Sequence, residues 1–165
     1  MSATATAGTS AGDFDFWLGH WQIHNRRLRE RLIGSDEWDE FEATGFARRL
    51  LDGVGNEDVF RTDHDGGFVG MSFRFFDPRS RRWSIYWADS RRPGALDPPV
   101  SGAFDGDVGV FEGEDVLAGR PIRVRFTWSN VTASTPRWEQ ALSDDGGSSW
   151  ETNWVMNFTR AEDQL

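Results

Sequence analysis

Five polar side chains stand in rows of large apolar residues: Asn25, Arg27, Asp89, Gln140 and Thr152. A guanidinium among rings pairs with an acidic group, carboxamides and a hydroxyl orient a ligand through hydrogen bonds, and a carboxylate accepts or moves a proton. Met71, Trp87, Trp128, Trp138 and Trp154 accompany them and offer faces on which a hydrophobic or aromatic small molecule stacks. These residues together are the expected ligand-binding set. A catalytic use of the same groups is proton transfer by Asp89, Gln140 or Tyr86 during a cofactor-independent cyclisation or isomerisation of a polyketide-like or terpenoid-like substrate.

Other chemistries are excluded by what the chain lacks. There is no cysteine, hence no disulfide, thiol nucleophile or thiolate metal site, and all 18 basic residues are arginine, so no lysine is present to form a Schiff base. The histidines are His20, His24 and His64. In a strand that starts at Gly19, His20 and His24 share the face opposite Trp21 and Ile23, so they point outward and do not converge on a metal or haem. No nucleophile elbow, P-loop or dinucleotide fingerprint occurs. Neither metal nor cofactor is expected. A net charge of -9 works against binding nucleic acid. No apolar run approaches the roughly 18 residues that cross a membrane. Met1 to Gly12 has neither the basic start nor the apolar centre of a signal peptide, so a cytoplasmic location is expected.

The elements that must position these groups are strands. From Gly19 onward the dominant hydrophobic period is two. Trp21 and Ile23 alternate with Gln22 and His24, and the same rhythm runs through Val69 to Phe75, Trp83 to Trp87, Ile122 to Trp128, Trp138 to Leu142 and Trp154 to Phe158. Weaker strands are expected at 39–49, 58–62, 100–104 and 108–114. Turn signals separate them: Asp52-Gly53, Asp65-Gly66-Gly67, Asp77-Pro78, Asp105-Gly106, Gly119-Arg120-Pro121 and Asp145-Gly146-Gly147. About nine to ten short strands without an intervening amphipathic helix predict an all-β, antiparallel up-and-down barrel, since closure removes unprotected edges. Residues 1–12 read as a disordered tail and 13–165 as a single barrel domain, with Asp13 to Leu18 as a short helical turn plugging one end. The proline-rich stretch Asp89 to Pro99 is stiff enough to form a lid or rim.

Gly19-His20-Trp21 is similar to the G-x-W pattern that opens calycin (lipocalin-like) barrels, and Arg160 stands where that superfamily places an arginine against the tryptophan. Such a guanidinium gains cation–π energy while capping exposed carbonyls. Ser143 to Trp150 resembles the Asp-box, a structural hairpin that carries no chemistry. From Asp13 to Arg160 the chain resembles an uncharacterised family of small bacterial proteins. The resemblance lies in Phe16-Trp17-Leu18-Gly19 with Trp21, His24 to Leu28, Gly34 to Trp38, Leu96 to Pro99, and Trp138 to Ala141 running into Trp150 to Trp154. It implies a calycin-like fold and carries no activity onto particular residues.

With Trp21 facing inward, the interior also receives Ile23, Asn25 and Arg27. Continuing the apolar phase adds Met71, Phe73, Ile85, Trp87, Phe126, Trp128, Trp138, Gln140, Thr152, Trp154 and Met156. The expected function is binding of an apolar or aromatic small molecule, with Arg27 for an acidic group. Catalysis in the same cavity is the alternative, and a homodimer with a filled barrel is the third reading. The inward phase of the second strand, Phe41 and Ala43 or Glu40 and Glu42, stays open.

Overall fold

The computed structural model describes residues 10–161. Ten strands follow one another: β1 (Gly19–Leu28), β2 (Trp38–Leu50), β3 (Gly55–Thr62), β4 (Phe68–Asp77), β5 (Arg82–Asp89), β6 (Val100–Asp105), β7 (Val108–Leu117), β8 (Arg120–Ser129), β9 (Arg137–Ser143) and β10 (Glu151–Arg160). Each pairs antiparallel with its sequence neighbours, and β1 closes the barrel on β10 with Trp21 opposite Arg160 and Arg27 opposite Trp154. Closure gives every strand a partner on both sides. The seam between β5 and β6 is short, running only from Trp83 to Ile85, and beyond it the 90–99 segment crosses the gap with Asp97 N donating to Trp87 O at 2.8 Å.

One end is plugged. A single turn of 3-10 helix, Asp15–Trp17, lays Phe14 and Trp17 into the barrel against Trp21, Trp83, Trp128 and Phe158. Asp13 does not cap this turn. Its carboxylate accepts from Trp83 Nε1 at 3.2 Å and from the backbone of Ser10 at 2.9 Å. Ser10 to Gly12 thus bend onto Asp13, and the rest of the expected tail lies outside the described residues. Arg160 holds the plug from outside the core. Its guanidinium lies 4.0 Å from the Trp21 ring and donates to the carbonyls of Leu18 and Phe16. Gly19 at φ +103° makes room, since a Cβ there would meet Arg160 Nη1 at 2.8 Å.

Strand two presents Phe41, Ala43, Gly45 and Ala47 inward and its charges outward. The sequence phase fails in two places. In β4 the inward residues are Phe68, Gly70, Ser72 and Arg74, whereas Val69, Met71, Phe73 and Phe75 face out. Cross-strand pairing decides this: Ser72 opposes Trp87 and Arg74 opposes Ile85, both of which face the interior, while Met71 opposes Ala88 and Phe73 opposes Tyr86. In β10 the register shifts between Thr152 and Trp154, and the extra residue Asn153 is buried while Thr152 is turned to solvent. A bulge reverses the alternation that the sequence rhythm assumes to be continuous.

The hairpin between β9 and β10 is held together by its own side chains. Asp145 accepts from Ser149 Oγ, Ser149 N and Ser143 Oγ, which hold its pKa well below the usual carboxylate range, and Trp150 Nε1 donates to Gly147 O. No helix among the described residues is long and apolar enough to cross a membrane.

Candidate functional site

The barrel is not filled. A cavity of about 390 Å³ runs from the plug to the opposite end, where the 29–37 and 90–99 segments form the rim. Its volume lies within the range of small-molecule sites. Rings make up one wall: Trp138 stands edge-on to Trp154 at 5.7 Å between centroids, Phe126 contacts Trp138 at 5.0 Å, and Phe60 meets Trp154 at 6.1 Å. Trp128 contributes near the plug.

Trp87 forms the facing wall because Gly70 lets it lie flat. A Cβ on Gly70 would stand 2.0 Å from the Trp87 ring, so only glycine admits the indole against the backbone of β4. The indole Nε1 donates to Asp89 Oδ2 at 3.1 Å. Asp89 has a buried side chain and also accepts from Arg91 through backbone N, Nε and Nη2. Burial opposes its charge, but the Arg91 side chain, the Trp87 indole and the Arg91 backbone outweigh it and bring the carboxyl pKa down to about 2. Arg91 in turn stacks 3.7 Å from the Phe68 ring. Arg92 pairs with Asp97 at 2.5 Å.

Arg27 and Arg31 are different. Both are half-buried at the mouth, and among the described residues neither has a carboxylate within salt-bridge distance. Arg27 lies 4.5 Å from the Trp154 ring, an orientation the indole face stabilises. Desolvation, then repulsion by Arg31 and Arg91, brings its pKa down to about 10 against the pull of Asp89 and Asp65. Arg31 is lowered by desolvation first and then by Arg91 and Arg92, with Glu151 opposing. At the mouth Arg27, Arg31, Arg91 and Arg92 face Asp89, Asp97 and Asp115; Asp89 is taken up by Arg91 and Asp97 by Arg92, so Arg27 and Arg31 feel carboxylates only at longer range.

Arg27, Trp87, Asp89, Trp128, Trp138, Gln140 and Trp154 of the expected set all line the cavity. Gln140 is pinned by donating to Asn153 Oδ1 at 2.8 Å. Three expected residues do not reach it. Met71 and Thr152 are on the outer surface for the reasons of register given above. Asn25 is fully buried behind the wall, where its carboxamide accepts from Trp154 Nε1 at 3.0 Å and donates to Ile23 O at 3.1 Å, so it positions the indole. Tyr86 also lies outside, against Phe75, and Asp89 is committed to Arg91 and Trp87, which leaves the proton-transfer set without its tyrosine and without an unpaired base.

Sequence reasoning missed Arg31, Ser72, Arg74, Asp58, Arg91 and Arg92, all on the cavity wall. Arg31, Arg91 and Arg92 sit in loops, which carry no period. Asp58 lies on β3, where both faces mix polar and apolar residues, and Ser72 and Arg74 lie on β4, whose inward face is more polar than its outward one. The available signal was the turn at Asp65-Gly66-Gly67, whose hairpin register places Asp58 opposite Ser72 and Asn56 opposite Arg74.

The histidines do not converge. His24 pairs with Glu42 at 2.5 Å on the surface, His20 packs on Phe46, and His64 stacks on Phe41 with centroids 3.9 Å apart. No cluster of three or more metal-ligating side chains occurs among the described residues.

No family model matches the chain, and no curated protein sequence does. Among solved structures it is similar to the S-type phycobiliprotein lyase CPES from Guillardia theta, with a TM-score of 0.58, 8% sequence identity and 92% of each chain covered. The fold is a lipocalin-like barrel. At that identity the likeness extends to architecture, and the cavity's chemistry is this chain's own.

Proposed function

We propose that the protein binds a small aromatic or apolar acid in the barrel cavity. In this reading the ligand's rings lie against Trp87, Trp138, Trp154 and Phe126, and its anionic group meets Arg27 and Arg31. The observation that carries the reading is the pair of half-buried guanidiniums without carboxylate partners at the mouth of an otherwise ring-lined cavity. Desolvated positive charge that the fold compensates only at a distance disfavours the empty protein, and an anion in direct contact restores the balance. The likeness to a phycobiliprotein lyase is consistent with a barrel built around a small molecule rather than a solid core.

Titration with anilinonaphthalene sulfonate, an aromatic anion whose emission rises in apolar surroundings, tests this. Saturable binding is expected, weakened at least about tenfold in Arg27→Met, as loss of one charge-assisted contact implies. Binding that is unaffected by Arg27→Met and by Arg31→Met would remove the mouth from the site. Native mass spectrometry of protein purified from its own host, followed by release under denaturing conditions, identifies any retained compound, and a retained cation or neutral polar solute would contradict the proposal.

A further inference from the structure

The floor of the cavity carries a second polar pole that the mouth does not account for. Asp58 on β3 and Arg74 on β4 both have buried side chains, with Asp58 Oδ1 2.6 Å from Arg74 Nη1. The same Nη1 donates to Asn56 Oδ1 at 3.0 Å, and Trp17 Nε1 donates to Asp58 Oδ1 at 3.4 Å. These polar contacts converge on Oδ1 and Nη1, and the Arg74 guanidinium also lies 5.2 Å from the Phe14 ring, a contact that satisfies none of its N–H groups. Among the described residues nothing donates to Asp58 Oδ2, nothing accepts from Arg74 Nη2, and Arg74 Nε is buried without a partner. Ser72 faces the cavity directly opposite Asp58 and makes no side-chain hydrogen bond among the described residues. A buried ion pair gives little stability that apolar residues of the same volume would not give, and its unpaired atoms add to the desolvation cost. Packing alone does not account for such a group; a hydrogen-bonding ligand end does.

We propose that this inner pole is a subsite for a neutral hydroxyl, such as a phenol, on the ligand whose acidic end lies at Arg27 and Arg31. The inference rests on the reading of the mouth given above. A hydroxyl donates to Asp58 Oδ2 and accepts from Arg74 Nη2 or Ser72 Oγ, the complement of the atoms left open. A carboxylate in that place meets the Asp58 charge, and a bare ring leaves the polar atoms unpaired and dry. The span suits a two-ring ligand: Gly70, level with Asp89 at the mouth, and Arg74 lie four residues apart on one strand, roughly 13 Å at ~3.3 Å per residue.

The test is isothermal titration calorimetry of the full chain with biphenyl carboxylate carrying no substituent, a hydroxyl or a second carboxylate at the far para position. The hydroxylated probe is expected to bind about tenfold tighter than the bare one, and the dicarboxylate more weakly than the hydroxylated one. In Asp58→Asn the order of the two substituted probes inverts, because Arg74 becomes the uncompensated charge. Should that variant not fold, Asp58→Leu combined with Arg74→Met removes the pair as an apolar unit and is expected to bind bare and hydroxylated probes alike. Equal affinity of the unaltered protein for bare and hydroxylated probes, with both still dependent on Arg27, overturns the inner subsite and leaves the mouth reading standing. Failure of all three probes to bind overturns both. A hydroxyl preference that survives in the double variant places the hydroxyl elsewhere and overturns the subsite.

Discussion

Gly70→Ala puts a methyl group where the Trp87 ring now lies. The added Cβ would stand 2.0 Å from Trp87 Cη2 and 2.2 Å from Cζ2, distances that a rigid indole packed against a strand backbone cannot absorb by small adjustments. The backbone at this position is ordinary strand, so the substitution would otherwise gain about 0.4–1 kcal/mol from reduced freedom of the unfolded chain. Overpacking costs about 1–3 kcal/mol, and displacing the ring sacrifices the hydrogen bond from Trp87 Nε1 to the Asp89 carboxylate, worth roughly 1.5–3 kcal/mol. The net expectation is a loss of about 1.5–5.5 kcal/mol in urea unfolding, with the opposite sign to the usual effect of replacing a strand glycine. The displaced indole has the cavity to move into, so affinity for anilinonaphthalene sulfonate falls in the same variant. Trp87→Leu in the Gly70→Ala background removes the clash, and the double-mutant cycle is expected to show coupling above about 1 kcal/mol. A Gly70→Ala protein as stable as the parent, with additive behaviour in the cycle and unchanged probe binding, would refute the packing argument and with it the place of Trp87 in the cavity wall.

Arg27→Met is expected to leave the empty protein as stable as the parent or raise its stability by on the order of 1 kcal/mol, because relief of desolvation and of repulsion by Arg31 and Arg91 exceeds the lost stacking on Trp154; a clear fall in the melting temperature would contradict the assignment of Arg27 to a ligand. Asp58→Ala strands Arg74 and is expected to cost about 3–5 kcal/mol, far more than the Asp58→Leu, Arg74→Met double variant, a contrast that chemical denaturation reads directly. Asp89 has a folded pKa depressed to about 2, so its contribution to stability is complete above its unfolded value near 3.8 and is lost as pH falls through the interval between them. Asp89→Asn should therefore flatten the acid limb of the stability curve in that interval, and a limb of unchanged slope would mean the carboxyl is not held ionised. Arg160→Met removes both carbonyl contacts and the stacking on Trp21 that hold the plug, with an expected loss of roughly 2 kcal/mol in thermal unfolding, only partly restored by Arg160→Lys because an ammonium cannot span two carbonyls in one plane.

The sequence by itself determined the architecture. Period-two rows from Trp21 to Phe158, broken by glycine-bearing turns, admit strands joined as hairpins and little else, and Trp21 with Arg160 marked where the barrel closes. It also placed most of the ring wall, because Trp87, Trp128, Trp138 and Trp154 are the large residues of strands with one clearly apolar face. Tertiary structure decided the rest. Met71 is excluded although it belongs to the more apolar face of β4, because pairing with β5 turns the face of Gly70, Ser72 and Arg74 inward. Thr152 is excluded by one extra residue in β10, a bulge that no local pattern announces. The charges at Arg31, Arg91 and Arg92 come from loops without periodicity, and the Asp58–Arg74 pair is polar in the position where burial predicts apolar residues. Alternation reports which side chains avoid water, so it reads a solid core well; a cavity that must hold polar ligand groups departs from that rule at just those residues, and only the closed barrel brings them together.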